Sequence, residues 1–188
     1  MRKWIVSMVL ATDMAKHFPD LNKLNTMVKA EDFLVNTMSE EDKIFFMSMS
    51  VHMADLSNPT KEWLIGLKWA ILLYEEFFTQ GNTEKKLGIP VGNLTDKPNV
   101  NIAKQQVGFM KAIVQPAYEA FELLIPMVDS NLTRCKENLG KWESLINEYE
   151  QKWKKGNNTE AMLKEIEAEM SKDRLSVPGG SSDRWDSF

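Results

Sequence analysis

The chain has 188 residues, of which 43% are hydrophobic and 27% are charged, and its formal charge is −4. This length and composition suit one globular domain with a substantial core. Because there is no basic excess, nucleic acid is not expected as a partner. The longest apolar run, Trp63 to Phe78, is interrupted by Lys68, Glu75 and Glu76, so no membrane span is predicted.

The single cysteine, Cys135, bears on the cellular compartment. One cysteine can form neither an intrachain disulfide nor a zinc-cysteine site. No histidine lies near it in the sequence, so we expect an inert thiol. A reducing cytoplasm is the expected location, and tethering to a membrane through upstream segments stays open.

Helical patterns dominate the N-terminal third of the chain. The spacing of apolar residues predicts helices over about Lys3–His17, Leu21–Lys29 and Glu40–Asp55. Pro19 is expected to end the first of them. Ser39 followed by Asp42 is a capping-box pattern that opens the third.

The next predicted helix is strongly apolar. Asn58-Pro59 is expected to cap it, with the proline in the first turn, where proline is tolerated. The helix should run to about Gln80 and stop at Gly81. Because it is apolar on almost every face, burial within a bundle is expected. Residues 82–98 are rich in glycine and proline and are predicted to form a loop.

Helices are also predicted for the remainder of the chain. One runs from about Val100 through Phe109, with Pro116 and Pro126 kinking or restarting it, and another spans Asn131 to Trp153. The class is therefore all-α, a multi-helix bundle. We expect three segments: a main domain over 1–153, a helical extension over 154–175 and a disordered tail over 176–188.

Asp55 is the sharpest candidate for chemistry on the residues alone. A carboxylate at a helix end, beside His52, Ser57 and Asn58, suits a divalent cation. The alternative is an aspartate that makes local hydrogen bonds at a helix terminus. One acid cannot hold a metal without partners, and besides His52 no histidine lies near Asp55 in the sequence. The other histidine, His17, has no possible co-ligand in its own stretch of sequence.

Five motifs occur in order along residues 1–153. They are Leu10-Ala11-Thr12-Asp13, His52-Met53-Ala54-Asp55-Leu56-Ser57-Asn58-Pro59-Thr60-Lys61, Glu75-Glu76-Phe77-Phe78-Thr79-Gln80-Gly81, Glu84-Lys85-Lys86-Leu87-Gly88-Ile89-Pro90 with Asp96-Lys97, and Gln106-Val107-Gly108-Phe109. Together they resemble the C-terminal half of the HD-type catalytic domain of class I 3',5'-cyclic nucleotide phosphodiesterases. That resemblance implies the all-α fold of the domain and hydrolysis of cyclic nucleotides to 5'-nucleotides in signal transduction.

The resemblance also implies roles for individual residues. Asp55 would be a metal ligand, and Gln106 would read the purine edge, because a carboxamide offers a donor and an acceptor side by side. Phe109 would stack on the purine, with Leu73 against its other face. Asn58 would make an auxiliary polar contact to the base, and the residues expected to line the pocket are Thr12, Asp13 and Met14.

Each of these residues also has a structural interpretation. Phe109 and Leu73 would be core residues in most helical proteins, and a glutamine is usually a surface residue, so only the shared motif pattern supports the binding roles. Gln106 is preferred to Gln105 because it directly precedes Val-Gly-Phe. Rotating its amide exchanges donor and acceptor, so cyclic AMP and cyclic GMP stay open, with Asn58 resembling the cyclic AMP-preferring members.

The family reaction needs groups that this sequence does not contain. It uses two divalent metal ions, zinc with magnesium or manganese, and a histidine that protonates the leaving oxygen. The His-Asn-x-x-His and His-Asp-x-x-His motifs that supply them are absent, and the chain has two histidines in all. No catalytic residue is therefore assigned here, and the metal site is expected to be incomplete.

Three interpretations remain open. In the first, the chain is part of a phosphodiesterase and is inactive alone. In the second, it is a non-catalytic truncated helical module that binds nucleotide weakly or pairs with a partner. In the third, it is a non-functional product. The uncapped start at Met1-Arg2-Lys3 favours the first. Removing half a domain exposes apolar surface, so we expect a homodimer or pairing with the missing N-terminal half.

Overall fold

A computed structural model describes residues 1–30 and 38–153, together with the helical positions 164, 167, 168, 171 and 172. Within this described part there are helices and turns but no strand, so the all-α prediction is confirmed. None of the described helices is both long and apolar enough to cross a bilayer. The predicted tail over 176–188 lies outside the described residues, as does most of the extension over 154–175.

The α-helices of the described residues follow one another with short connections. They are α1 (Arg2–Leu10), α2 (His17–Val28), α3 (Glu40–Asp55), α4 (Trp63–Leu87), α5 (Ile102–Phe109), α6 (Gln115–Glu122) and α7 (Asp129–Trp153). Two compact units are distinguished. The first comprises Met1–Ala70 with Ala103–Ser144, and the second comprises Ile71–Ile102 with the described residues from Leu145 onward.

The single helix predicted over residues 3–17 is wrong, because the chain turns after α1. The carboxylate of Asp13 accepts a hydrogen bond from the Ala15 N–H at 3.0 Å and so starts the 3-10 turn Met14–Lys16. Pro19 does not end a helix either. It is the third residue of α2, where a helix has no intrahelical partner for an N–H and proline is tolerated.

Helix α3 has the predicted bounds. The Ser39 hydroxyl accepts a hydrogen bond from the Asp42 N–H at 3.1 Å, which satisfies one of the first-turn donors. The capping pattern is thereby confirmed. Helix α4 differs from the prediction at its start: Asn58–Thr60 form a separate 3-10 turn, and α4 begins only at Trp63.

Gly81 does not stop α4, which continues to Leu87 and ends before Gly88, whose φ is 69°. Glycine is needed at position 81 because there is no room for a side chain. A Cβ at this position would lie 2.0 Å from the carbonyl oxygen of Thr95. The 88–96 connection therefore packs directly on the backbone of α4.

Hydrogen bonds to Glu84 keep that connection in place. Its carboxylate accepts from the Thr95 hydroxyl at 2.7 Å and from the Gly92 N–H at 3.2 Å. Hydrogen bonds from Gln80, Thr95 and Gly92 lower the pKa of Glu84. The prediction that α4 is buried on almost every face is wrong, because Trp69, Leu72 and Leu73 are 48%, 45% and 42% exposed.

Pro116 and Pro126 act as predicted. After α5 the chain forms a π-helical segment, Met110–Val114, and α6 then starts with Pro116 in its first turn. Pro126 opens a 3-10 turn, Pro126–Val128, that leads into α7. The core of the first unit includes a T-shaped pair of Trp63 and Trp142, with ring centroids 5.1 Å apart.

His17 on α2 and His52 on α3 form a buried pair, each only 1% exposed. His17 Nδ1 and His52 Nε2 are 2.9 Å apart, so one ring donates to the other. The outer nitrogens, His17 Nε2 and His52 Nδ1, have no hydrogen-bond partner among the described residues. Burial lowers the pKa of both rings from the ordinary 6.5, and the neighbouring His52 ring lowers the pKa of His17 further. Nearby carboxylates act in the opposite direction: Asp20 raises the pKa of both rings, and Asp55 raises that of His52.

The buried pair predicts that acid destabilises the fold. The unfolded histidines take up protons near pH 6.5, whereas the folded pair resists protonation until lower pH. The contribution of the neutral pair to the free energy of unfolding is thus fully present above about pH 6.5 and is lost as the pH falls below that value. The melting temperature should drop between pH 7.5 and 5.5, by roughly 2–4 °C for each kcal/mol lost.

Calorimetry or circular dichroism at several pH values measures this slope. The chain contains only two histidines, so the His17→Gln/His52→Gln double variant is a matched control that should flatten the slope. A slope that persists unchanged in the double variant would assign the effect to other groups.

Glycine substitutions should separate close packing from helix propensity. Gly81→Ala forces α4 and the Thr95 backbone apart, so we expect a loss of about 1–3 kcal/mol. Gly140→Ala in α7 has no neighbouring atom within 4 Å of the added Cβ, and should add about 0.5–1 kcal/mol. Urea unfolding measures both, and equal effects of the two substitutions would contradict the close approach at Gly81.

Candidate functional site

Asp55 is the last residue of α3 and is exposed. A tight turn follows Asp55 in the chain. The Leu56 N–H donates to the His52 carbonyl at 3.0 Å, and the Ser57 N–H donates to the Ala54 carbonyl at 3.1 Å. The half-buried Asn58 then opens the 3-10 turn. The predicted acid and the predicted base-contacting amide thus flank one tight bend.

Three side chains from α6 and α7 hold the backbone of this bend, and we call them the carbonyl clamp: Tyr118, Asn131 and Asn138. The Tyr118 hydroxyl donates to the Met53 carbonyl at 3.0 Å. The Asn138 amide donates to the carbonyls of Pro59 at 2.9 Å and Lys61 at 2.8 Å.

The clamp also acts through Thr60, which is fully buried. Its hydroxyl donates to the Ser57 carbonyl at 2.8 Å and accepts from the Asn131 amide at 3.0 Å. Backbone groups in a buried, irregular segment need such partners, because an unpaired buried carbonyl costs about 1–3 kcal/mol. The clamp therefore fixes the course of the chain immediately after Asp55.

Gln106 and Phe109 lie on α5, three residues apart, and so are neighbours on one helix face. Gln106 is 8% exposed, whereas Phe109 and the adjacent Gln105 are half-buried. The π-helical segment begins immediately after Phe109. An amide-bearing and an aromatic residue therefore lie on one helix face near the end of α5.

The residues predicted to line the pocket lie in the turn between α1 and α2. The Thr12 hydroxyl donates to the Val9 carbonyl at 2.9 Å, and Asp13 caps the 3-10 turn. The Met14 side chain is 42% exposed. Both polar side chains therefore take part in local hydrogen bonds.

The first unit contains most of the predicted site residues. These are Thr12, Asp13, Met14, Asp55, Asn58, Gln106 and Phe109. Leu73 belongs to the second unit, where it is 42% exposed. Their roles in binding stay predictions.

A cleft of about 320 Å³ lies between α1, α2 and α3. Its polar lining includes Lys16, Asp20 and Glu41, and Phe45 provides an apolar wall. None of the predicted site residues lines it. The cleft borders the first motif, because Leu10 and Ala11 line it, but it does not include the predicted site residues.

The described side chains do not form a complete metal site. Among residues 1–30 and 38–153, no group of three histidine, cysteine or acidic side chains could hold an ion. The nearest histidine to Asp55 in the sequence, His52, is hydrogen-bonded to His17. Cys135 is buried, which raises the pKa of its thiol to about 11, in agreement with the predicted inert thiol.

Sequence reasoning missed the carbonyl clamp and the pairing of His17 with His52. A signal for the clamp was present in α7. Asn131, Cys135, Asn138 and Trp142 recur at the spacing of one helix face. An asparagine inside such an otherwise apolar stripe indicates a buried hydrogen bond, because a buried polar group needs a partner.

Several known proteins are similar to this chain. "Probable 3',5'-cyclic-AMP phosphodiesterase pde-4" of Caenorhabditis elegans is 40% identical over 152 residues, which cover 78% of this chain and 23% of that protein. Human "Dual specificity calcium/calmodulin-dependent 3',5'-cyclic nucleotide phosphodiesterase 1B" is 37% identical over 118 residues, covering 63% of this chain and 21% of that protein.

A solved structure shares the fold. The phosphodiesterase domain of Salpingoeca rosetta rhodopsin phosphodiesterase matches with a TM-score of 0.74 and 26% identity, over 83% of this chain and 48% of that domain. The chain thus spans about a quarter of the curated relatives and about half of a solved domain. The model of the 3'5'-cyclic nucleotide phosphodiesterase family matches residues 1–135, and the chain belongs to that family.

Proposed function

We propose that this chain supplies the purine-binding wall and one metal ligand of a catalytic domain that hydrolyses 3',5'-cyclic nucleotides to 5'-nucleotides. The observation that carries the proposal is the placement of Gln106 and Phe109 on one face of α5, in a chain that belongs to the phosphodiesterase family. An amide beside an aromatic ring can bond a purine edge while the ring stacks on its face.

Asp55 is the proposed metal ligand. It is exposed at the end of α3, and the carbonyl clamp holds the backbone that follows it. No group among the described side chains could complete a metal site, and the two histidine motifs of the family are absent from the sequence, so the other ligands and the proton donor are proposed to come from outside this chain. Alone, the chain is expected to bind nucleotide weakly and to hydrolyse none.

Cyclic AMP is the proposed substrate, with cyclic GMP as the alternative. The Caenorhabditis elegans relative is named for cyclic AMP, whereas the human relative is named as dual in specificity. Asn58 also favours cyclic AMP, because it resembles the residue at this position in the cyclic AMP-preferring members of the family. Comparing kcat/KM for the two nucleotides on the same preparation decides between them.

A chimera tests the proposed roles. The first part of the Caenorhabditis elegans catalytic domain is fused in frame to this chain, and hydrolysis of cyclic AMP is followed. Asp55→Ala should abolish turnover. Gln106→Ala should raise KM roughly tenfold, because losing hydrogen bonds to the base removes about 1–2 kcal/mol of binding.

Gln105→Ala is the matched control, since it removes an identical side chain from the neighbouring position on another face of α5. It should leave both constants unchanged. An active chimera in which Asp55→Ala and Gln106→Ala have no effect would refute the assigned roles. A folded but inactive chimera that binds nucleotide would instead favour the non-catalytic binding module.

A further inference from the structure

The backbone of Asn58, the predicted base-contacting residue, lies directly against helix α4. A Cβ added to Gly66 of α4 would stand 3.0 Å from the carbonyl oxygen of Asn58. The Lys61 N–H donates to the same oxygen at 3.3 Å. The Asn58 carbonyl therefore has almost no room to move toward α4, and only a glycine allows the helix to come this close.

The carbonyls on either side of Asn58 are held as well. That of Ser57 accepts from the Thr60 hydroxyl at 2.8 Å, and that of Pro59 accepts from the Asn138 amide at 2.9 Å. Both donors are buried, with Thr60 0% and Asn138 4% exposed, so they are shielded from competing water. Because each peptide unit is planar, fixing three consecutive carbonyls fixes the backbone that carries the Asn58 side chain.

The orientation of the Asn58 amide follows from that backbone. An asparagine side chain has two rotatable bonds, so its amide cannot move far from where the backbone places it. Adenine has an amino donor where guanine has a carbonyl acceptor. A hydrogen bond forms over a donor–acceptor range of about 2.7–3.2 Å, so a small displacement of the amide weakens a contact that distinguishes the two purines.

We propose that Gly66 and Asn138 are positioning residues, which orient the Asn58 amide toward the base and thereby set the preference for cyclic AMP over cyclic GMP. Gly66 acts by letting α4 support the Asn58 carbonyl, and Asn138 acts by holding the next carbonyl along the chain. This inference rests on the proposed function for the contact between Asn58 and the base. It adds two residues that lie outside the five sequence motifs.

Two substitutions displace Asn58 by different routes. Gly66→Ala presses on the Asn58 carbonyl while raising the helix propensity of α4, so its effect cannot be attributed to a weaker helix. Asn138→Asp keeps the shape of the side chain but removes the donor, because an ionised carboxylate only accepts hydrogen bonds.

Each substitution has a matched control in α7. Gly140→Ala places a Cβ where no neighbouring atom lies within 4 Å, and Asn147→Asp makes the same chemical change at an exposed position. Circular dichroism establishes that every variant is folded.

NMR titrations of the whole chain with cyclic AMP and with cyclic GMP give the ratio of the two Kd values. Gly66→Ala and Asn138→Asp should each reduce the preference for cyclic AMP roughly three- to tenfold, the equivalent of one hydrogen bond. The controls should leave it unchanged. Partial unfolding lowers both affinities equally and does not alter this ratio, so a merely structural role would not change it.

A double variant tests whether the positioning residues act through Asn58. Asn58→Ala should reduce the preference to a similar extent, and adding Asn138→Asp to it should cause no further loss, because residues that act as a unit are not additive. The ratio of kcat/KM for the two nucleotides in the chimera should follow the same pattern.

Three results would overturn the inference: a wild-type protein without a preference for cyclic AMP, a preference that Gly66→Ala and Asn138→Asp leave unchanged or the controls reduce as much, or an additive loss in the double variant. An inactive chimera, with a preference of the chain that depends on Gly66, Asn58 and Asn138, keeps the inference and counts against the proposed function. An active chimera whose preference ignores Gly66 and Asn138 does the reverse. Binding of neither nucleotide by chain or chimera contradicts both.

Discussion

The bend between α3 and α4 depends on donors that reach it from far along the chain. The carbonyl of Met53 lies in the last turn of α3, where a helix has no partner for it, and those of Pro59 and Lys61 lie in the irregular segment, so all three need donors from elsewhere. Tyr118 and Asn138, 65 to 79 residues later, provide them. Replacing Asn138 would leave the carbonyls of Pro59 and Lys61 without this donor, at a cost of about 1–3 kcal/mol for each buried carbonyl left unpaired.

The sequence predicted those features of the fold that are fixed by interactions between residues close together in the chain. Ser39 and Asp42 are three residues apart, and the helix that they open was predicted with its observed bounds, because the cap is satisfied within one turn. Gly81 was misread because a glycine in a helical pattern usually indicates an end. Its actual cause is the carbonyl of Thr95, 2.0 Å from where a Cβ would stand, and no pattern in the sequence reveals such an approach.

The candidate site shows the same division. Because a separation of three residues fixes the relation of two side chains on a helix, the sequence alone placed Gln106 and Phe109 on one face. The surroundings of Asp55 arise from contacts between residues far apart in the chain, and they were not predicted. His17 illustrates the limit, since its partner His52 lies 35 residues away, and the pair became visible only once α2 and α3 were seen together.

These contacts bear on how the first unit holds the residues of the candidate site. The clamp, the histidine pair and the face of Gln106 and Phe109 all lie within the first unit, so the geometry around Asp55 is built from this chain's own side chains. A metal site, in contrast, needs several ligands, and the described residues offer no group of three. The described residues therefore give the bend a fixed course but no complete set of metal ligands. The remaining ligands of the proposed metal site would therefore have to reach a bend whose backbone the clamp already holds.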